Sequence, residues 1–222
     1  MSFESNKTLG GIGAILILIG SIVTSYTFGV LTLIGVILVF IALNGLANYY
    51  KERGIFTNAI YSLVAGIVGV VAAASAALYI VFDTTILTNL LRNIYPTWNG
   101  SWSTISSLRG TTPNTSNISV SNVTSALGAI FLVLVILWVF AIVAAFFARR
   151  SLKTLSSKAN VSLFSTASLL LIIGAVLTII FIGAILIWIA VLLIAIAFFQ
   201  IKPQPEQPPA TMAPPPSTPT PI

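Results

Sequence analysis

LGGIGAILILIGSIVTSYTFGVLTLIGVILVFIALNGLANYY (9–50) decides the fold. As one helix this apolar run would measure about 60 Å, twice the ~30 Å thickness of a bilayer's hydrocarbon. It must therefore fold back. Lys7 precedes it and Lys51 and Arg53 follow it. Cations favour the cytoplasmic side, so the run is expected to cross an even number of times, as two helices turning near SYTFG (25–29). The run 161–201, bracketed by Lys158 and Lys202, obeys the same argument and turns near Ile182 and Gly183.

Between these hairpins, 55–82 leads away from Lys51, Glu52 and Arg53, and 125–148 returns to Arg149 and Arg150. The expectation is an all-α integral membrane protein. It is a six-helix transmembrane bundle, N-in and C-in, with spans near 9–24, 29–50, 55–82, 125–148, 161–181 and 183–201. On this topology eight of the ten Lys and Arg residues face the cytoplasm, and Arg92 and Arg109 lie outside. Composition agrees: 57% of the chain is hydrophobic and 6% is charged, against about 25% charged in an average globular protein. A cleavable signal peptide is the rival reading of the first span, because Lys7 and a short apolar region follow that layout. No A-x-A-like site follows and the hairpin pattern recurs later, so the span is expected to stay.

Several chemistries are excluded early. Cysteine and histidine are absent, which removes disulfides, thiol catalysis, the usual haem ligands and the commonest zinc ligands. The net charge of +6 sits at the ends of apolar runs and is not interleaved with stacking aromatics, so it reads as membrane orientation and not as a nucleic-acid surface. Glu4, Glu52, Asp83 and Glu206 are the four carboxylates. None pairs with another inside a span as general acid–base work requires. LGGIG (9–13) contains G-x-G but lies on a membrane helix, where close packing explains it better than phosphate binding. No enzyme activity, cofactor or metal is expected.

The outer loop, 83–124, opens with DTTILTNLLRNIYP. Leu87, Leu90, Leu91 and Ile94 share one helical face, Asp83 can cap the start and Pro96 stops the run, so an interfacial helix is expected at 84–95. Tyr95, Trp98 and Trp102 follow as an aromatic anchor. Further on, Asn99, Asn114, Asn117 and Asn122 each head an Asn-x-Ser/Thr triplet and are candidate N-glycosylation sites on an exported loop. Asn122 is the weakest, lying next to the membrane entry. Asn6 and Asn160 head similar triplets on the cytoplasmic side.

Within the third span Ala65, Gly69, Ala73 and Ala77 recur every fourth residue, with Ser62 and Gly66 alongside. Small residues at that spacing let backbones approach. The expected partner is the face of Ala141, Ala144, Ala145 and Ala148 on the fourth span, with a homodimer seam as the alternative. The first and last hairpins also match without gaps at an offset of 154: Gly20, Thr24 and Gly29 fall on Gly174, Thr178 and Gly183, and six of 29 positions are identical over 15–43. These six residues are candidate repeat hinges, and the repeats would be parallel, about a pseudo-two-fold axis along the membrane normal. No charged residue lies inside a span, where ion-coupled carriers place theirs. The polar groups expected to be buried are Thr24, Asn44, Asn58, Ser62, Ser75 and Thr178.

The tail, 202–222, holds nine of the eleven prolines, so neither helix nor sheet can form and a disordered, extended cytoplasmic tether is expected. PEQP (205–208) and PSTP (216–219) fit P-x-x-P, which a cytoplasmic partner's aromatic groove could hold; a plain spacer is the simpler reading. ESNKTLGGIGAILILIG (4–20), the six apolar runs and the basic second cytoplasmic connection together resemble a family of archaeal integral membrane proteins grouped as domain of unknown function 996. The likeness covers most of 4–201. It implies an archaeal cell membrane and assigns no activity and no site residues. The function expected is a non-catalytic, multi-pass membrane protein with a structural, assembly or interaction role in the cell envelope, its partners being the bilayer and a membrane protein or second copy. The alternative is a small channel or passive transporter for a neutral solute.

Overall fold

A computed structural model describes residues 2–23, 29–82, 84–114 and 120–203. Thr24, Asp83, Asn117 and both P-x-x-P motifs lie outside the described residues. The elements are α1 (Phe3–Ile22), α2 (Val30–Tyr49), α3 (Arg53–Phe82), α4 (Thr84–Ile94), a 3-10 segment (Trp102–Leu108), α5 (Val120–Ala159), α6 (Ser162–Leu177), a 3-10 turn (Thr178–Ile180) and α7 (Ile182–Gln200). Among the described residues there is no strand. Six of the helices are long and apolar enough to cross a membrane.

These six form a ring in chain order. α1 packs on α2, α2 on α3, α3 on α5, α5 on α6, α6 on α7, and α7 returns to α1. The ring is thus three antiparallel hairpins, with the longer α3–α5 pair between the first and the last. The first and last meet each other through α1 and α7. Two close approaches set the hairpin spacing. A Cβ on Gly13 would lie 2.7 Å from the Gly35 carbonyl, and one on Gly35 2.6 Å from that of Gly13, so α1 and α2 cross backbone to backbone.

The two connections between hairpins, at the end rich in Lys and Arg, are built alike. α2 ends where Lys51 turns left-handed (φ 51) and Glu52 N–H donates to the Ala47 carbonyl at 2.9 Å. α5 ends where Asn160 does the same (φ 54) and Val161 N–H donates to the Ser156 carbonyl at 3.2 Å. Both are six-to-one C-terminal turns that satisfy an otherwise orphaned carbonyl. The Ser156 hydroxyl adds a bond to the Val161 carbonyl at 2.9 Å, and Lys158 pairs with Glu52 at 3.3 Å, tying one connection to the other.

The core lies at this basic end. Phe164 and Phe198 meet edge to face at 5.2 Å, both 0% exposed. Leu46, Ile55, Leu155 and Ile201 are among the fully buried side chains packed in the same cluster. This explains why α5 does not stop near residue 148: Leu152 and Leu155 continue its apolar face past Arg149 and Arg150 into the cluster. Three residues of the polar inventory are not buried: Asn44, Ser75 and Thr178 are exposed, while Asn58 and Ser62 are half-buried.

The α1–α2 crossing gives a direct test. Gly35→Ala inserts a methyl group against backbone and should lower stability by about 2 kcal/mol. Gly128→Ala, with nothing within 4 Å of its Cβ, should be neutral or stabilising by up to about 1 kcal/mol, as expected for Gly replaced in a helix. Thermal unfolding in detergent micelles compares the two, and equal effects would contradict the crossing.

Candidate functional site

The structure brings the small-residue stripe of α3 against α5, with one change of partner. Gly69 receives the Phe140 ring: a Cβ there would collide with the Phe140 Cβ. Ala73 is buried in the same contact, and Ala65 and Ala77 are half-buried. Of the alanines on α5, Ala145 is buried, Ala144 and Ala148 are half-buried and Ala141 is exposed. The fit is therefore a large side chain into a notch instead of small residue on small residue, and Phe140 carried no sequence signal beyond apolarity. Tyr61 and Phe147 add an edge contact at 5.5 Å. Buried Ser151, which follows the Arg pair and reads as part of a polar connection, donates to the Ile55 carbonyl at 2.6 Å.

The residues singled out in the last hairpin gather at its tip. The Thr178 hydroxyl donates to the Gly174 carbonyl at 2.7 Å. A Cβ on Gly174 would stand 3.0 Å from the Gly183 carbonyl, and one on Gly183 would collide with the Gly174 carbonyl and the Thr178 nitrogen. These glycines let α6 and α7 touch where they turn. In the first hairpin Gly20 faces Thr32, whose hydroxyl would lie 2.5 Å from an added Cβ, and Gly29 caps α2 at φ 76. The caps do not keep the offset of 154, because α7 is capped by left-handed Phe181 (φ 64) and not by Gly183.

Above the tip lies a cleft of about 470 Å³, lined by Gly66 and Val70 of α3, Leu134 and Trp138 of α5, and Ile179 and Phe181 of the turn. Its polar groups are engaged within the protein: Thr178 as above, and Trp138, whose indole N–H donates to the Val176 carbonyl at 3.0 Å. Such a cleft offers shape and apolar contact but no group to fix a polar ligand. A second cavity of about 140 Å³ lies towards the basic end among Phe40, Leu43, Ala59, Ser62, Ser151 and Ile194.

On the loop side, α4 packs on α5 and α3. Leu90, Leu91 and Ile94 are half-buried, and Leu87 lies among residues whose side chains are not described. Beyond α4 the chain folds round Trp98, which is 5% exposed and donates to the Ser101 carbonyl at 3.1 Å and the Thr104 hydroxyl at 3.2 Å. Trp102 meets it edge-on at 5.8 Å. Arg92 reaches across left-handed Gly100 (φ 85) to donate to the Asn99 carbonyl at 3.1 Å. The Asn99 side-chain oxygen accepts from Ser101 N–H at 2.9 Å and from the Thr104 hydroxyl at 2.8 Å. Asn114 is exposed and its N–H closes the loop onto the Ile94 carbonyl at 2.8 Å. Asn122 lies in the first turn of α5. Among the described residues no group of His, Cys, Asp or Glu could hold a metal ion.

Trp138 predicts a measurable effect. Trp138→Phe keeps the ring but leaves the Val176 carbonyl without its donor, and should cost about 1 kcal/mol, the usual size of an interhelical hydrogen bond in a membrane. Unfolding in detergent reads this, and a Trp138→Phe protein as stable as the parent would remove the bond from the account.

Comparison with known proteins follows the same helices. A family model described as "Protein of unknown function (DUF996)" matches residues 31–192. The match begins beyond 4–20, the segment on which the sequence resemblance chiefly rests. The uncharacterized protein MJ1644 of Methanocaldococcus jannaschii is 24% identical over 201 residues, covering 90% of this chain and 94% of that protein. No solved structure matches. With its helices from α2 into α7 inside the family match, the chain belongs to the DUF996 family.

Proposed function

We propose that the chain is a multi-pass cell-membrane protein with a non-catalytic structural, assembly or interaction role in the envelope. The observation that carries this reading is how its polar groups are spent. Asn58 donates to the Gly54 carbonyl at 2.7 Å and Ser168 to that of Ser165 at 2.7 Å, beside the Ser151, Thr178 and Trp138 bonds. The described carboxylates, Glu4 and Glu52, face Lys7 at 3.7 Å and Lys158 at 3.3 Å. Buried polar atoms without a partner, Asn6 Oδ1, Tyr50 Oη and Thr88 Oγ1, lie towards the ends of the ring and not along its middle. A route for a polar solute needs unspent groups along it, and a catalyst needs a group positioned to react.

The remaining surfaces suit recognition: a folded, polar loop at one end, and at the other a cationic rim from which the proline-rich tail departs. A second copy or another membrane protein is the partner proposed for the helices, and a cytoplasmic protein for the tail; nucleic acid is not. Asn99 is the acceptor we favour for a glycan. Its side chain is exposed, its oxygen is held by Ser101 and Thr104, and its Nδ2 makes no hydrogen bond among the described residues. The second reading, a small channel or passive transporter, draws on the cleft and the smaller cavity lying at successive heights along α3, at Gly66 and Val70 and at Ala59 and Ser62.

Crosslinking of the full chain in native membranes, followed by mild-detergent isolation, should recover a stoichiometric partner, while proteoliposomes should show no flux of neutral solutes. Flux abolished by Gly66→Leu, which fills open space beside the cleft, would replace the first reading with the second. Asn99→Gln should remove a glycan mass increment, and an unchanged mass on both proteins would withdraw that site.

A further inference from the structure

We infer that the α6–α7 hairpin does not cross the bilayer: it enters from the basic end and turns back inside the hydrocarbon, with Ile179, Ile180, Phe181 and Ile182 facing lipid chains. This rests on the reading of the chain as a membrane protein. The first observation is length. Exposed polar residues mark where α6 leaves water, ending at Thr166. Counted from Ser162 the first leg is long enough to cross, but its part beyond Thr166, residues 167–180, rises about 22 Å and α7 (Ile182–Gln200) about 28 Å, the first well short of the ~30 Å of a full crossing. The apolar stretches of α3 (59–82) and α5 (126–148) each reach about 35 Å.

The second observation is depth. Trp138 is bonded to Val176, just before the turn, and residues 134–141 of α5 share the cleft with the tip. Outward from Trp138, α5 stays apolar to Ala126, about 18 Å further; inward, Arg149 is about 16 Å away. The tip therefore stands near the middle of the apolar stretch of α5. On α3 the same level is Gly66 to Val70, with twelve residues still to run, ending at Phe82.

The third observation is the chemistry of the tip. Phe181 is 86% exposed, and Ile179, Ile180 and Ile182 are about half exposed, an arrangement water would penalise and hydrocarbon accepts. Backbone at that depth must be satisfied internally. Here Thr178 serves the Gly174 carbonyl and Trp138 that of Val176, while Phe181 N–H reaches the Thr178 carbonyl at 3.0 Å and Ala184 N–H that of Phe181 at 3.2 Å. One residue, Phe181, separates the 3-10 turn from α7. The hairpin returns to the side it entered, so the sidedness of the rest is unchanged.

The chain contains no cysteine, so single thiols report without background. Phe181→Cys, Ser103→Cys on the exposed loop and Ser157→Cys on the exposed basic end are reconstituted as full chains in phosphatidylcholine vesicles, with Ile180→Cys held ready should Phe181→Cys not fold. An impermeant maleimide should label Ser103→Cys and Ser157→Cys from opposite faces and the tip from neither, at a rate at least about tenfold lower, since a thiol in hydrocarbon does not ionise. A nitroxide on the tip should collide freely with oxygen and rarely with a water-soluble nickel complex. Tip labelling from the Ser103 face would mean a full crossing, and from the Ser157 face a hairpin outside the bilayer. Shielding from both oxygen and nickel would mean that a second copy covers the tip. Each of the three overturns the inference, whereas labelling of Ser103→Cys and Ser157→Cys from one face would undo the membrane reading itself.

Discussion

The hydrophobic effect has something to act on at one end of this chain. Around Phe164 and Phe198 the helix ends carry exposed polar groups such as Asn48, Lys153 and Thr166, so side chains packed there leave water, and burying each large one contributes about 1.5–3 kcal/mol. Towards the loop end, in the membrane that these apolar helices suit, lipid is as apolar as leucine, the drive vanishes, and contact must come from shape and hydrogen bonds. The distribution of packing follows this division. The buried cluster lies at the basic end, whereas Val70, Leu134 and Phe131 further out are exposed. Where α3 and α5 do hold together there, they use a ring in a notch, and α5 holds α6 through Trp138.

That division also accounts for the unequal helices. α1, α2, α6 and α7 are anchored by their basic ends in the cluster. α3 and α5 continue to the loop that α4 and Trp98 organise. A chain clamped at one end tolerates hairpins that stop at different heights, because the clamp fixes their order round the ring. The two left-handed turns at Lys51 and Asn160 serve it directly. A non-glycine residue in that conformation costs about 1–2 kcal/mol, yet here it places Glu52 and Lys158 within 3.3 Å and leads the next helix straight into the cluster at Ile55 and Phe164.

Much of this was legible in the sequence, and what escaped did so for definite reasons. Six long apolar helices follow from runs too long for one crossing, and the resemblance to the family was read chiefly from 4–20, although the family match covers 31–192. The end of α5 was not legible, because Arg149 and Arg150 mark a water boundary and a boundary for charge is not one for a helix. Leu152 and Leu155, three residues apart, were the available clue. Small residues gave the side of α3 that packs but not its partner, since periodicity identifies a face and is silent about whether Phe140 or Ala141 fills it. Gly174, Thr178 and Gly183 were found by comparison with the first hairpin, but their use in closing the turn depends on Trp138, 36 residues before Gly174. No pattern within either segment connects the two.

The placement of charge also bears on what the ring can do. Eight cations and the two described carboxylates crowd the end where the helices converge, and the interior above them has no charged side chain. An ion brought into that interior would find the Thr178 hydroxyl and the Trp138 indole already bonded to backbone carbonyls, and freeing one would leave a carbonyl unpaired in a medium where this costs several kcal/mol. A neutral apolar molecule meets no such barrier, because the cleft asks nothing of it but shape. The chemistry of the ring thus separates its candidate occupants by polarity before size is considered. It turns attention from passage through the ring to what gathers at its two water-facing ends.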